Sequence, residues 1–255
     1  GSESLIFSAT DLTDSAFTSQ DTAWFSVLPS DNPPELSTIP DQVIGRGGYF
    51  EVIDLPSYLT ELDGNSIQWT LTFEAPLEAD PAPGWTVVPA AFEGSMSITA
   101  RVQSRGQSIG NNHFQLAAFQ AEECRGKVSP VALGQDWLFF LTIYGDINGE
   151  QLSLRLYDSD AQLNLPIVED ITFQLGFELG SPGQPFPLQA GFILADLGSE
   201  NQVQLNLVDP QWSGSEQISV MAQDMGTLMG FADSVSVEFT VLPDHTPLVQ
   251  GISDQ

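Results

Sequence analysis

The side chains best able to do chemistry in this sequence are its carboxylates. Aspartate and glutamate number 34 against six lysines and arginines, which gives a formal net charge of −28 at pH 7. Carboxylate oxygens are the ligands that Ca²⁺ takes in proteins, so the charge is consistent with specific calcium binding. It is equally consistent with an acidic surface that stays soluble in a salty medium. Nucleic acid is excluded as a partner, because phosphate binding depends on lysine and arginine.

One short segment has the alternating oxygen ligands of a calcium loop. Residues 146–150 read Asp-Ile-Asn-Gly-Glu, but a full loop needs more ligands, including a bidentate glutamate further on. A hairpin turn centred on Asn148 and Gly149 explains the same residues, because Asn-Gly favours the tight turns of hairpins. The sequence therefore favours a turn here.

Nucleophilic catalysis has little support in the sequence. Cys124 is the only cysteine, so an internal disulfide is impossible. Arg125 and Lys127 lower a thiol pKa, whereas the two preceding glutamates oppose that effect. The only histidines are His113 and His245, and the sequence contains no nucleophile elbow, P-loop or zinc-protease motif. We therefore predict that the chain is not an enzyme and that Cys124 is a small buried residue.

Aromatic side chains are the alternative candidates for a binding site. Exposed Trp and Tyr rings hold sugar rings in many β-sandwich modules through their apolar faces. Aromatic residues in strands usually belong to the core instead. Two exposed, coplanar rings would favour glycan binding. The candidate ligand-binding residues are Trp85, Trp137, Tyr144 and Tyr157.

The elements that must position these groups are strands. Apolar residues alternate at period two in 96–102, 152–156 and 235–241, which is the pattern of half-buried strands. Residues 138–144 form a nearly continuous apolar run, as in a strand buried on both faces. Pro, Gly, Asn and Asp punctuate the chain at the spacing of short strands in a sandwich. No apolar stretch reaches the roughly 20 residues of a membrane-spanning helix.

An internal repeat organises the chain. The first 42 residues return at its end with an offset of about 213 residues, after two one-residue gaps that cancel. Such self-similarity indicates a repeat architecture. The matched segments are 1–3 with 214–216, 9–11 with 222–224, 25–29 with 239–243, and 39–42 with 252–255.

The order of short motifs resembles a known family. From the N-terminal side they are 31–34 (Asp-Asn-Pro-Pro), 39–42 (Ile-Pro-Asp-Gln), 54–59 (Asp-Leu-Pro-Ser-Tyr-Leu), 62–65 (Leu-Asp-Gly-Asn) and 69–71 (Trp-Thr-Leu), and the matching end runs through 212–216, 223–224 and 241–243. This order resembles the cadherin-like and immunoglobulin-like tandem domains of bacterial secreted and cell-surface proteins of adhesin type. The stretch between resembles a β-sandwich module of secreted bacterial proteins, through 85–87, 92–96, 116–119, 123–126, 139–144 and 156–158.

The resemblance implies an all-β fold, an immunoglobulin/cadherin-like β-sandwich with an inserted second β-sandwich domain. Residues 33–76 plus 191–243 would form the first sandwich and 77–190 the insert. Residues 1–32 would be the C-terminal strands of a preceding repeat, completed by that repeat or by another chain, and 246–255 would begin the next repeat. In such arrays calcium lies at domain junctions, and the acidic candidates are Asp11, Asp31, Glu61, Asp63, Asp224 and Asp244.

The implied function is structural. We expect a tandem-repeat unit of an extracellular or cell-surface fibre or adhesin that assembles end to end, is stiffened by calcium and forms filaments. Its partners would be neighbouring repeats or identical chains. The alternative is a carbohydrate- or protein-binding module displayed on a β-sandwich stalk, with a glycan or a surface protein as partner.

Overall fold

A computed structural model describes residues 2–13, 17–26, 32–74, 80–226 and 230–244. In this part of the chain the fold is all-β, and the helices are limited to two short 3₁₀ turns, Leu55–Tyr58 and Pro89–Ala91. The sheets are mostly antiparallel and pack as sandwich layers. The predicted all-β sandwich class is confirmed.

The strands fall into four groups along the chain. The first two form a hairpin, β1 (Ser2–Thr10) and β2 (Thr18–Ser26). Five short strands follow: β3 (Glu35–Leu36), β4 (Gln42–Gly45), β5 (Ile53–Asp54), β6 (Leu59–Thr60) and β7 (Ile67–Phe73). The central group is β8 (Gly94–Ser104), β9 (Gln107–Ser108), β10 (Phe114–Gln120), β11 (Glu123–Val128), β12 (Val131–Leu133), β13 (Asp136–Gly145), β14 (Gln151–Asp158), β15 (Leu163–Pro166), β16 (Ile171–Thr172), β17 (Glu178–Leu179) and β18 (Phe186–Ala190). The last group is β19 (Ile193–Leu197), β20 (Gln202–Leu207), β21 (Gly214–Asp224) and β22 (Ala232–Leu242).

Strands that precede and follow the central group build one core, which we call the scaffold sandwich. One sheet has the order β4-β22-β21-β7, and the other has the order β19-β20-β5. Alternate residues of β21 point into the core, as the period-two pattern predicts. Phe239 of β22 packs edge-on against Phe50, with ring centroids 5.4 Å apart. The buried residues of this core lie at positions 39–69 and 193–241.

The central strands build a second core, which we call the inserted sandwich. One sheet runs β11-β10-β14-β15, with β16 beside β14. The other runs β12-β13-β8, and β9, β17 and β18 also pair with β8. Its buried residues lie between Met96 and Ala190, so they interrupt the sequence of the scaffold core. The exact domain boundaries given above stay predictions.

A single glycine allows two strands of the inserted sandwich to lie unusually close together. A Cβ atom on Gly126 of β11 would lie 2.1 Å from the carbonyl oxygen of Thr142 in β13. That distance is far below van der Waals contact, and the obstacle is backbone. Only glycine allows β11 to cross β13 at this distance.

The β1–β2 hairpin is different from the rest of the fold. It forms a two-stranded sheet of its own. Its residues are exposed on both faces, apart from the half-buried Ala23. Two-stranded hairpins are marginal in water unless another layer covers them.

Candidate functional site

The hairpin β1–β2 has the same strand register as the hairpin β21–β22. Ser2 lies opposite Ser26 in the first, and Ser215 lies opposite Thr240 in the second. The hydroxyl oxygens of each pair share a hydrogen bond, at 2.9 Å in the first hairpin and 2.7 Å in the second. The repeat seen in the sequence is therefore a repeat of strand pairing and side-chain contacts.

The end of the first strand is also the same in both hairpins. An Asp11 carboxylate oxygen accepts the backbone N–H of Thr13 at 2.7 Å. An Asp224 carboxylate oxygen accepts the backbone N–H of Gly226 at the same distance. This contact is the Asx turn that favours aspartate at the ends of strands.

Burial is what separates the two hairpins. Phe25 is 51% exposed, whereas Phe239 at the equivalent position is 1% exposed. Leu5 is 54% exposed, whereas its equivalent Ile218 is 2% exposed. The face that is core in β21–β22 is thus a bare apolar face in β1–β2. Exposed apolar patches of this kind mark interaction sites.

A buried ion pair joins the inserted sandwich to the scaffold sandwich. The Arg105 guanidinium donates to a Glu216 carboxylate oxygen at 2.6 Å, and the other oxygen accepts the backbone N–H of Ile193 at 3.1 Å. Arg105 also donates to the backbone carbonyl of Glu74 at 3.1 Å and lies over the ring of Phe73. Burial raises the pKa of the Glu216 carboxyl, while Arg105 and the Ile193 N–H lower it part of the way back.

Arg105 has an unusual backbone conformation as well as this contact. It lies at the tip of the β8–β9 hairpin with φ of +50°, and Gly106 follows with φ of +76°. Two positive φ values in a two-residue hairpin turn favour Asn-Gly, because a longer side chain is strained there. Arg105 thus occupies a turn position where asparagine is usual, and its side chain contacts the scaffold sandwich.

Sequence reasoning missed both members of this pair. A signal for Arg105 was present, since Arg-Gly occupies a hairpin tip where Asn-Gly is usual. A signal for Glu216 was also present, because a glutamate stands on the inward face of an alternating apolar strand. The first copy of the repeat carries glutamate at the same place, as Glu3.

Some of the predicted calcium ligands lie in one loop beside the scaffold sandwich. The backbone N–H of Asp63 donates to Glu61 at 2.8 Å. Both carboxylate oxygens of Asp63 accept from Asn32, at 2.5 and 2.9 Å. The second carboxylate oxygen of Glu61 is buried and has no hydrogen-bond partner among the residues that the structure describes. Within those residues, this loop presents one unsatisfied oxygen.

The other predicted ligands lie elsewhere or outside the described residues, so the predicted calcium site stays a prediction. Asp224 is buried and accepts the side-chain amide of Asn65 at 2.9 Å, in addition to its contact with Gly226. Asp244 is exposed, and Asp31 lies outside the described residues. Among the residues that the structure describes, no three histidine, cysteine or acidic side chains come together to hold a metal. A calcium site in this loop would need further oxygen donors besides these carboxylates.

The predicted aromatic ligand residues pack within the protein. Tyr157 is buried, and the partly buried Trp85 lies edge-on to it with ring centroids 6.4 Å apart. Tyr144 stacks on Phe92, and Trp137 packs against the core of the inserted sandwich. The four rings therefore do not offer the exposed, coplanar pair that a sugar platform needs, and glycan binding through them stays a prediction.

The predicted hairpin turn at 146–150 is wrong, because the flanking strands β13 and β14 lie in different sheets. The polar side chains of this segment make contacts within the protein instead. An Asp146 carboxylate oxygen accepts the backbone N–H of Glu93 at 2.7 Å, and the Asn148 side-chain oxygen accepts that of Leu175 at 2.6 Å. Cys124 is buried, and this burial raises the pKa of its thiol. A raised pKa reduces the thiolate form that nucleophilic chemistry requires.

A polar cleft lies where the two sandwiches meet. Its volume is about 410 Å³. The lining comes from both sandwiches and includes amide, carboxylate and small apolar side chains, among them Gln103, Gln189, Leu194, Asp196 and Asn206. Side chains of this kind can form hydrogen bonds to a polar ligand.

Comparison with known proteins does not assign this chain to a family. No protein-family model matches the chain, and no curated protein is similar enough to be matched. In the described ranges, no helix is long and apolar enough to cross a membrane. The hairpins, the ion pair and the cleft are therefore the features of this chain that can indicate a function.

Proposed function

We propose that this chain is a repeat unit of an extracellular or cell-surface fibre of adhesin type, whose units assemble end to end. The observation that carries the proposal is the equivalence of the β1–β2 and β21–β22 hairpins in register, side-chain contacts and turn geometry. One hairpin is covered by the scaffold sandwich and the other is bare. A neighbouring unit that covers the bare hairpin extends the structure.

The geometry of this contact favours an open assembly. The bare hairpin and the surface that would cover it are different parts of the unit. Head-to-tail contacts between unlike surfaces give a filament unless the rotation closes a ring. The added strands would extend the hairpin sheet by backbone hydrogen bonds, as in β-strand addition. The function is structural, and no catalytic role is proposed.

We further propose that calcium stiffens the junctions. The high acidic charge favours cations near the surface. The unsatisfied oxygen of Glu61, next to Asp63, offers one ligand. Additional donors would come from Asp31 or from a neighbouring repeat. A rise in melting temperature with Ca²⁺ in an assembled sample, reduced by Glu61→Gln, is the expected result.

The alternative function is a binding module displayed on the fibre. The cleft between the sandwiches supports it, because Gln103, Gln189 and Asn206 surround a cavity of a size suited to a small polar ligand. A glycan is the ligand class that such amide side chains recognise by hydrogen bonds. Glycan-array binding that is lost in Gln189→Ala and retained in Trp85→Phe would assign the site to the cleft. The reverse pattern would assign it to the aromatic residues.

Electron microscopy of the native material, with and without EDTA, tests the fibre. Filaments with an axial repeat set by one period of 213 residues are expected, and loosening by EDTA would establish the role of calcium. Filaments that EDTA does not change would support the fibre proposal and refute the role of calcium. Monodisperse particles in both samples would refute the fibre and favour the binding module.

A further inference from the structure

Glu3 occupies the position in β1 that Glu216 occupies in β21. Glu3 lies opposite Phe25, and Glu216 lies opposite Phe239, in the same register. Glu216 is buried and forms an ion pair with Arg105, whereas Glu3 is exposed. If the bare hairpin is covered as its counterpart is, the carboxylate of Glu3 becomes buried too.

Burial of Glu3 places a chemical requirement on whatever covers the hairpin. A carboxylate taken out of water without a partner is strongly unfavourable, so buried charges are paired. The covering surface must therefore bring a cation to Glu3. Cationic side chains number only six in this chain. Arg105 is the one that meets the equivalent carboxylate.

The two edges of the hairpin indicate which strands the partner must supply. In the scaffold sandwich, β7 pairs with β21 antiparallel, and β4 pairs with β22 parallel. The sheet β19-β20-β5 covers the inward face. In the described part of the chain, β1 and β2 pair only with each other, so both of their outer edges are open. Open edges of this kind accept added strands.

We propose that the β1–β2 hairpin completes the sandwich of a neighbouring repeat unit of the same design. That unit adds a β7-type strand to β1 and a β4-type strand to β2, and the arginine of its own inserted sandwich binds Glu3. This inference rests on the proposed function and specifies its contact. It also implies that the neighbouring unit carries an inserted module with an arginine at the position of Arg105.

The apolar side chains of the hairpin fit this role. Phe25 matches Phe239, a buried ring of β22. Phe7 is larger than its equivalent Val220, whereas Ala23 is smaller than its equivalent Val237. The two changes have opposite effects on volume and lie on the same inward face. Cores tolerate such exchanges when total volume is kept.

A hairpin transplant within the full chain tests the proposal. Residues 214–242 are replaced by residues 1–28, so that Glu3 takes the place of Glu216. We expect a single cooperative melting transition within roughly 10 °C of the parent chain. We also expect Arg105→Met to lower the melting temperature of the transplant as much as it lowers that of the parent. A folded transplant that is indifferent to Arg105→Met would overturn the pairing of Glu3 with arginine.

A second variant guards against a packing mismatch. The transplant is made again with Phe7→Val and Ala23→Val, which restore the two side chains found in the parent core. If this variant folds and depends on Arg105, the proposal is supported. If both transplants are unfolded, the proposal is overturned. The transplant needs no filament, so its failure is distinct from the absence of fibres in the microscope.

The bare face could instead be covered by exchange of hairpins between identical chains. It would produce concentration-dependent oligomers of the unmodified chain in sedimentation experiments, and Phe25→Ser would abolish them. Such oligomers together with unfolded transplants would assign the bare face to this exchange and overturn the proposal. A monomeric chain together with folded, Arg105-dependent transplants would support it.

Discussion

Replacing Arg105 with methionine removes the cation that accompanies the buried carboxylate of Glu216 but keeps a long apolar side chain. The two side chains are only 13% and 4% exposed. Removing one member of such a buried pair costs about 3–5 kcal/mol. Methionine inherits the positive φ of this position, so the substitution does not relieve the strain of the turn.

The predicted loss is large enough for a simple melting experiment. A protein of this size loses roughly 2–4 °C of melting temperature per kcal/mol. We therefore expect Arg105→Met to lower the melting temperature by roughly 6–20 °C, as measured by calorimetry or circular dichroism. Arg101→Met is the matched control, because Arg101 and its partner Asp136 are 44% and 56% exposed. The control should shift the melting temperature by no more than about 4 °C.

The effect should depend on pH in a defined direction. Burial raises the folded-state pKa of Glu216, and removal of Arg105 raises it further. A carboxyl whose folded pKa exceeds its unfolded value of about 4.3 stabilises the fold below that unfolded value. This stabilisation is lost as the pH rises through the folded pKa. The difference between Arg105→Met and the parent should therefore be largest at about pH 8 and smaller at about pH 4.

A second substitution separates the ion pair from the turn. Arg105→Asn creates the Asn-Gly sequence that two-residue hairpins favour, so it should improve the turn while removing the cation. If the ion pair dominates, Arg105→Asn is still less stable than the parent at about pH 8. An Arg105→Asn protein at least as stable as the parent would refute the reasoning, because the buried carboxylate would then need no cation.

Three further predictions concern the cores and the thiol. Phe239→Ala should lower the free energy of unfolding by about 3–5 kcal/mol, because it leaves a cavity where a buried ring was. Phe25→Ala in the unassembled chain should change the denaturation midpoint little. Equal losses for the two variants would contradict the burial difference. Gly126→Ala should be strongly destabilising because its Cβ would meet backbone, whereas Gly110→Ala meets open space and should be tolerated in the same melts. Burial raises the pKa of the Cys124 thiol, so a thiol reagent at neutral pH should react slowly with the native chain and quickly after unfolding. Fast labelling of the native chain would contradict this prediction.

The secondary structure was largely predictable from local patterns. Period-two alternation and turn residues are short-range signals, and they indicated strands where β8, β14 and β22 lie. The repeat between the two ends of the chain was also readable, and the structure adds that it extends to register and Asx turns. These features depend on residues near one another in sequence, which is why pattern reasoning reaches them.

The candidate site depended on contacts that no local pattern contains. Arg105 and Glu216 are 111 residues apart in the chain, and their pairing exists only because two sandwiches meet at that point. The predicted acidic ligands and aromatic rings were chosen by residue type, but their surroundings decide their roles. Asp224 is hydrogen-bonded within its own turn, and Tyr157 is buried.

The sequence by itself determined that this protein is all-β, acidic and internally repeated, because alternation, composition and self-similarity are properties of the chain. Tertiary structure alone decided which copy of the repeated hairpin is covered. Leu5 and Ile218 are both apolar residues in alternating strands, yet only Ile218 is buried. Burial depends on what packs against a strand, and that neighbour comes from distant parts of the chain or from another molecule.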